Sequence, residues 1–291
     1  VLGPIANAEI AIYALDESAT RVLKLASTRT DEDGNYSTTI SYKGIIEVVA
    51  KGGNYIDEAT GASVLRSADA ELRTIVTEVP DGYLGINALT TIAATIAVAN
   101  VSDGIEESLA SANLQLAEMF NIEEIDFVAT KPDDLTTEGS EGDETLGALM
   151  AGFSQMAKDN SLNPEDLDKL IDVVAEDFSD GVIDQKTKGE SISTDISINS
   201  ENALGGFSKG LETFINSEQN KSSVTTDDIP SPSITSVFEG DWESLCVSST
   251  RFNRFPSAII SLSVKGSRRA LSYKYFEDSN CSAHIQSYNY V

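Results

Sequence analysis

The sequence is poor in the residues that carry out nucleophilic, redox and soft-metal chemistry. Its 291 residues include one histidine, two cysteines and three methionines. A catalytic serine or cysteine usually works beside a histidine base, and a structural zinc site needs four nitrogen or sulfur ligands. The one histidine, His284, lies in a polar stretch three residues after a cysteine. We therefore predict that the protein is not an enzyme.

Basic residues are scarce relative to acidic ones. The chain has 20 lysines and arginines against 47 aspartates and glutamates, for a formal net charge of −27. Residues 81–235 carry 30 acidic and 7 basic side chains, so the charge is concentrated in the middle of the chain. Such a field repels phosphate backbones and attracts cations. We predict no nucleic-acid partner; a solvated acidic surface would account for the charge without any ligand.

Long apolar runs and catalytic motifs are also missing. No stretch approaches the ~20 apolar residues of a membrane-spanning helix, so we predict no transmembrane segment. No serine-hydrolase, zinc-protease, phosphate-loop or dinucleotide motif occurs in the sequence. Nothing singles out a carboxylate pair for glycoside chemistry. The printed sequence starts at "VLGPIANAEI" without a methionine or signal peptide, which fits a processed chain or a chosen boundary.

Residues 1–80 have the alternating pattern of β-strands. In the segment "AEIAIYAL" (8–15), Ile10, Ile12 and Ala14 alternate onto one face of a strand. Farther along, Asp33 and Gly34 mark a tight turn, because glycine tolerates the positive φ of hairpin turns. We predict a hairpin at this point, with Tyr36 starting the next strand as a core aromatic.

This part of the chain resembles the carboxypeptidase-regulatory-like, transthyretin-like β-sandwiches at the start of many bacterial surface lipoproteins. The resemblance rests on "GPIANAEIAIYALD", "STRTDEDGNYSTTI" and "IIEVVAKGGNYIDEATG", about a quarter of the chain. The family's TDxxGxY stretch corresponds to Thr30, Asp31, Gly34 and Tyr36. In that family the stretch is a structural hairpin, so the resemblance implies a β-sandwich and no catalytic role for these residues.

Residues 81–218 change to a helical period. Apolar residues recur every three or four positions in four stripes, each of which predicts one buried face of an amphipathic helix. The stripes are Ile105, Leu109, Ala112, Leu116 and Phe120; Leu146, Leu149, Met150, Phe153 and Met156; Leu167, Leu170, Ile171, Val174 and Phe178; and Leu204, Phe207, Leu211, Phe214 and Ile215. With "INALTTIAATIAVAN" (86–100), they predict about five helices in an acidic bundle.

The two cysteines lie in the last part of the chain. Residues 219–236 have the composition of a linker, and 237–291 offer about four alternating strands. Cys246 and Cys281 flank most of these strands, which predicts one disulfide in a small antiparallel β unit. Two reduced, buried cysteines are the alternative. A disulfide favours an extracytoplasmic location, at the cell surface, at the outer membrane or secreted.

Calcium is the metal that the residue types favour. Asp31, Asp33 and Asn35 lie on one turn, and Asp177, Asp180 and Asp184 lie near the end of a predicted helix. Oxygen ligands at this density suit Ca²⁺. Neither group matches a calcium-binding loop, and a hairpin tip and a helix stop are the alternatives. We predict no other cofactor.

These segments predict a multidomain α+β protein. Its parts are an N-terminal β-sandwich (1–80), a central α-helical bundle (81–218), a linker (219–236) and a C-terminal antiparallel β unit with one disulfide (237–291). Their order, together with "LTTIA", "SDGVID" and the "GDWxxxC…YxxDSNC" pattern, resembles a class of bacterial cell-envelope lipoproteins. The resemblance implies a surface location and names no activity.

Two functions follow as predictions. The first is a non-enzymatic structural or adhesive surface protein that associates with itself or with another cell-surface component. Such a protein could be a filament subunit assembled by β-strand addition, with the apolar residues 1–7 as the donor strand. The second is a soluble or lipid-anchored module that binds a small ligand or Ca²⁺ through the acidic helical region or the insertion 179–202.

Overall fold

The chain folds as two compact units, Val1–Pro232 and Ser233–Val291. The computed structural model describes residues 3–101, 104–179, 186–187, 190–192, 196, 203–230 and 232, and five strands beyond them; side chains are described up to residue 232, except at 186–187 and 203–205. Strands and helices both occur in the first unit, which confirms the α+β class.

The first 80 residues contain one four-stranded antiparallel sheet and one two-stranded ribbon among those described. The strands are β1 (Glu9–Leu15), β2 (Arg21–Arg29), β3 (Ile46–Lys51), β4 (Asn54–Ile56), β5 (Ser63–Leu65) and β6 (Glu71–Val76). The sheet has the order β2-β1-β3-β6, and β4 pairs with β5 in the ribbon.

The two faces of the sheet differ in chemistry. On one face, Ile10 and Ile12 of β1 lie opposite Ala50 and Val48 of β3, and all four are buried. On the other face, Glu47 is buried, and its carboxylate accepts from Arg21 Nε at 2.5 Å and from Arg73 Nη1 at 3.3 Å. A buried charge needs such partners. The apolar face is therefore the one available to form a hydrophobic cavity wall.

The strand predicted to begin at Tyr36 is not formed. The chain has no regular secondary structure from 35 to 45, and the next strand is β3. After the turn the chain leaves the sheet, and Tyr36 donates a hydrogen bond to the carbonyl of Leu84 instead of starting a strand beside β2. As a result β2 is an edge strand, with Val22 and Leu23 each nearly 60% exposed (58% and 59%).

Five α-helices lie among the described residues. They are α1 (Ala88–Ala99), α2 (Ile105–Phe120), α3 (Glu144–Asp159), α4 (Leu167–Phe178) and α5 (Ala203–Ile215), and a short 3-10 helix (Pro164–Asp166) leads into α4. Every apolar-stripe residue whose side chain is described is buried, as predicted. None of the described helices is long and apolar enough to span a bilayer.

Helices α3 and α5 approach each other closely through glycine. A Cβ atom on Gly210 would lie 2.8 Å from the backbone nitrogen of Met156, and one on Gly152 would lie 3.0 Å from the Phe207 ring. Phe207 packs edge-on against Phe120, with ring centroids 5.0 Å apart. Because these two glycines have no side chains, the helices come close enough for an aromatic cluster to form between them.

Gly210→Ala tests this contact. We expect the free energy of unfolding to fall by about 1–3 kcal/mol, because the added methyl group overpacks the α3 backbone. At an exposed helix position, the same change would stabilise the protein by about 0.5–1 kcal/mol. The sign of the change in the free energy of unfolding therefore distinguishes close packing from open space. Urea denaturation measures the difference, with exposed Lys209→Ala as the control. A stabilised Gly210→Ala protein would contradict the close packing.

The ribbon joins the sheet to the helices. Arg66, just after β5, makes a two-point ion pair with Asp168 of α4, with Nη2–Oδ1 at 2.6 Å and Nε–Oδ2 at 3.2 Å. Tyr55 of β4 donates to the carbonyl of Pro164 at 3.1 Å. Lys158 of α3 donates to the carbonyl of Ala59 at 2.7 Å. These contacts lock residues about 100 positions apart into one packed unit.

The segments around residues 179–232 are described only in part. Two-residue strands β7 (Lys186–Thr187) and β8 (Glu190–Ser191) pair within the predicted insertion. The first unit also extends into the segment predicted as a linker, where Val224 and Ile229 are buried.

The second unit contains an antiparallel sheet. Its strands are β9 (Gly240–Glu243), β10 (Val247–Ser248), β11 (Ser257–Lys265), β12 (Arg268–Phe276) and β13 (His284–Tyr290). The order is β10-β11-β12-β13, and β9 also pairs with β11. Cys246 and Cys281 lie outside the described residues, so their disulfide stays a prediction.

Candidate functional site

A cavity of about 540 Å³ lies against the apolar face of the first sheet. Its floor is formed by alternate residues of β1 and β3, including Ile10, Ile12, Val48 and Ala50. Segments without regular structure at 36–40 and 79–86 form its walls, and the loop 131–134 contributes polar groups. This volume is within the range of small-molecule sites.

The turn predicted from the sequence helps to build the cavity wall. Thr30, Gly34 and Tyr36 all line it. The Thr30 hydroxyl accepts from Ala8 N at 2.8 Å and donates to the carbonyl of Ile5 at 2.7 Å. Gly34 has φ +74°, and a Cβ there would lie 2.9 Å from Ile5 N. These residues therefore fix the turn against the start of the chain.

Tyr36 connects the two irregular walls. Its hydroxyl donates to the carbonyl of Leu84 at 3.0 Å. Burial raises the pKa of this phenol above its usual value, so it stays neutral and keeps its donated hydrogen bond. The role predicted for Tyr36, a core aromatic in a strand, becomes a tether between two wall segments.

The loop 131–134 is clamped in position. Asp133 N donates to the carbonyl of Asp143 at 3.0 Å, and Asp143 N donates to the carbonyl of Lys131 at 2.8 Å. On α3, a Cβ on Gly147 would collide with the carbonyl oxygen of Asp133, so glycine is what allows this approach. Oδ1 of Asp133 is buried without a hydrogen-bond partner in the described part of the chain.

A second acidic group on the cavity lining, Glu58, is buried. Oε1 accepts from the backbone N–H of Gly3, and Oε2 lies 2.9 Å from Ser154 Oγ. The same Ser154 hydroxyl lies 2.6 Å from Oδ2 of Asp57. One hydroxyl proton cannot serve two carboxylates, so both contacts are satisfied when Glu58 is protonated and donates to Ser154.

The electrostatics of Glu58 agree with this geometry. Burial, as the main cause, raises its pKa to about 7, and the charge of Asp57 acts in the same direction. The group is therefore poised to change its charge near neutral pH. We consider Asp57, Ser154 and Glu58 together as the proton-sharing cluster.

The residues predicted as calcium ligands are described only in part, so the calcium site stays a prediction. Asp31 Oδ1 accepts from the backbone N–H of Asp33 at 3.0 Å and of Asn35 at 2.9 Å, as a turn cap does. Asp177 is buried on α4. Asp180 and Asp184 lie outside the described residues. No group of three or more acidic, histidine or cysteine side chains placed to hold a metal occurs among the residues described.

Glu58 and Asp133 were not predicted from the sequence as site residues. Asp57 and Glu58 sit between apolar neighbours, Ile56 and Ala59, which is the one local signal of burial in an acidic pair. Asp133 lies in an acidic Gly/Ser/Thr loop and has no such signal. Comparison of the chain with protein-family models, curated proteins and solved structures found no match.

Proposed function

We propose that the protein is a non-enzymatic binding module whose cavity takes a small, largely apolar ligand. The cavity carries this proposal, because an apolar floor with a few polar groups is the usual form of a small-molecule site. The floor belongs to a hydrogen-bonded sheet, and the polar loop is clamped by α3, so the site is formed before any ligand arrives. Preorganisation of this kind lowers the cost of binding.

The proposed location is extracytoplasmic, and its support comes from the sequence. The two cysteines, the acidic composition and the resemblance to transthyretin-like lipoprotein domains favour it. The sandwich and bundle arrangements, the Ca²⁺ site at Asp177, Asp180 and Asp184, and the lipid anchor stay predictions. The absence of catalytic motifs favours a binding role over an enzymatic one.

The test of cavity binding is calorimetric titration of the full chain with 1-octanol. We expect saturable binding that Ala50→Phe, which places a phenyl group on the cavity floor, weakens at least about ten-fold. Ile40→Trp, on a wall without regular structure, provides a second filled cavity should the first variant fail to fold. Leu65→Phe, at a site that is 75% exposed and outside the cavity, should leave binding unchanged. If Ala50→Phe and Ile40→Trp both bind octanol as tightly as the wild type, the proposal is wrong.

A second candidate function is the structural or adhesive role, and the exposed edge strand β2 favours it. Two copies could pair their β2 edges antiparallel and form a continuous sheet. The predicted donor segment is less suited to this role, because Ala6 exchanges two backbone hydrogen bonds with Asn54 of its own unit, at 2.8 and 2.9 Å.

Leu23→Lys tests association through β2. If β2 pairs between copies, the wild-type chain should form dimers or larger species at high concentration, and the variant should remain monomeric, since a charged edge opposes strand pairing. Leu65→Lys, which also replaces an exposed leucine, is the control. Light scattering after size exclusion measures the mass. A wild-type monomer at millimolar concentration would rule this association out.

A further inference from the structure

We propose that the cavity's ligand is an amphiphile with an ammonium head group that pairs with Asp133. This inference rests on the proposed function and adds the chemical class of the ligand. Three observations carry it: the apolar floor, the unpartnered carboxylate of Asp133, and the balance of charge around the cavity.

The floor selects an apolar body. Ile10, Ile12, Val48 and Ala50 present only hydrocarbon side chains, so this surface offers no side-chain hydrogen bond to a ligand. An alkyl chain placed there is removed from water, and its binding is stabilised in proportion to the apolar area that it buries. A strongly polar ligand would instead lose hydration at the floor without compensation.

Asp133 selects the head group. Asp133 is on the cavity lining, its Oδ1 is buried, and no described protein group donates a hydrogen bond to that oxygen. A carboxylate that is partly removed from water and left without a hydrogen-bond donor is unfavourable. An ammonium group supplies both a positive charge and three donors. A carboxylate head group would add a second unpaired anion.

The other polar groups on the lining have partners or face solvent. Asp134 accepts from Thr136 and Thr137 within its own turn. Glu58 contacts Gly3 and Ser154 through its two carboxyl oxygens. Asp133 is therefore the acidic group that is both partly buried and uncommitted.

Among the described residues that line the cavity, four are acidic and one, Lys131, is basic. Lys131 is exposed and makes no ion pair with a described residue. It could hold an anionic head group at the mouth, which is the competing outcome. The negative balance of the lining favours a cation.

The experiment compares three ligands of equal chain length on the full protein: 1-octylamine, 1-octanol and octanoate, by isothermal titration at pH 7.5 and fixed salt. We expect octylamine to bind at least about ten-fold more tightly than the other two. Asp133→Asn should reduce octylamine affinity about ten-fold and leave octanol affinity within about two-fold. Asp69→Asn makes the same change of charge outside the cavity and should leave all three affinities unchanged.

The outcomes separate this inference from the proposed function. Equal affinities for the three ligands, or octylamine binding that Asp133→Asn does not weaken, would overturn the head-group assignment and leave the binding module standing. If octanoate binds most tightly and Lys131→Ala abolishes this preference, the ligand has an anionic head group instead of a cationic one. Failure of all three to bind would overturn both. Asp133→Asn keeps the shape of the side chain, and circular dichroism confirms that each variant is folded.

Discussion

Replacing Asp168 with alanine should lower the free energy of unfolding by about 3–5 kcal/mol, the largest loss expected from one substitution. The side chain of Arg66 is 1% exposed, and that of Asp168 is 12% exposed. Removing the carboxylate leaves a buried guanidinium whose one remaining acceptor among the described residues is the carbonyl of Gly52, at 3.1 Å. The ribbon would lose its attachment to α4 at the same time. Guanidinium denaturation followed by circular dichroism measures the loss.

Asp166→Ala is the matched control. Asp166 lies two positions earlier in the same chain segment and pairs with Lys169 at 2.6 Å, but Lys169 is 56% exposed. An exposed pair contributes about 0–1 kcal/mol, so this variant should be nearly as stable as the wild type. Equal losses in the two variants would show that the Arg66 contact is no stronger than a surface ion pair.

The second large effect is a loss of stability as the pH rises from acidic to neutral. Glu58 has a folded-state pKa of about 7 against 4.5 when unperturbed. Between these values the folded protein holds a proton that the unfolded chain releases, so stability falls as the pH rises through this window and levels off above about 7. At ~1.4 kcal/mol per pKa unit, the loss is on the order of 3 kcal/mol.

Asp172 changes stability in the same direction. Desolvation, and then the charge of Asp168, raises its pKa from 3.8 to about 6. Its proton is therefore also held more tightly in the folded state, over a window from about pH 4 to 6. Because Asp172 is exposed, its effect on stability should be smaller than that of Glu58. Glu71 has the opposite behaviour: hydrogen bonds from Arg21 and Lys51 outweigh burial and lower its pKa. Stability should therefore fall again in stronger acid.

Glu58→Gln isolates the contribution of Glu58. The amide keeps an acceptor for Gly3 N–H and supplies an N–H toward Ser154, as the protonated acid does. We expect thermal melts of the variant to depend much less on pH between 5 and 8, and the variant to be the more stable protein at pH 8. Exposed Glu78→Gln should behave like the wild type. Parallel melting curves for Glu58→Gln and the wild type across this range would refute the proton-sharing cluster.

The helices were predictable because their signal is local. The recurrence of Leu109, Leu116 and Phe120 every few residues needs no knowledge of the rest of the chain. The strand expected at Tyr36 is absent because Tyr36 instead bonds the carbonyl of Leu84, 48 positions later in the chain, and alternation does not encode such a contact. The structure has a turn at Asp33-Gly34, but the path of the chain after that turn depends on this distant partner.

The cavity could not be predicted for a similar reason. Thr30, Gly34 and Tyr36 carried a recognisable pattern, whereas Asp133 joins them from about 100 positions later in the chain. Glu58 is likewise buried by Ser154, which lies 96 positions away. An acidic residue at a turn is usually exposed, so its burial becomes evident only when its partner is placed.

The attachment of the ribbon to α4 has a consequence during protein synthesis. Arg66 emerges from the ribosome 102 residues before Asp168. At a synthesis rate of about 5–20 residues per second, the sheet waits roughly 5–20 s for its helical partners. We expect the edge of β2 to be open throughout that interval, and Glu58, with its unperturbed pKa, to be ionised. Glu58 would then take up its proton only when α3 has been made and Ser154 lies beside it.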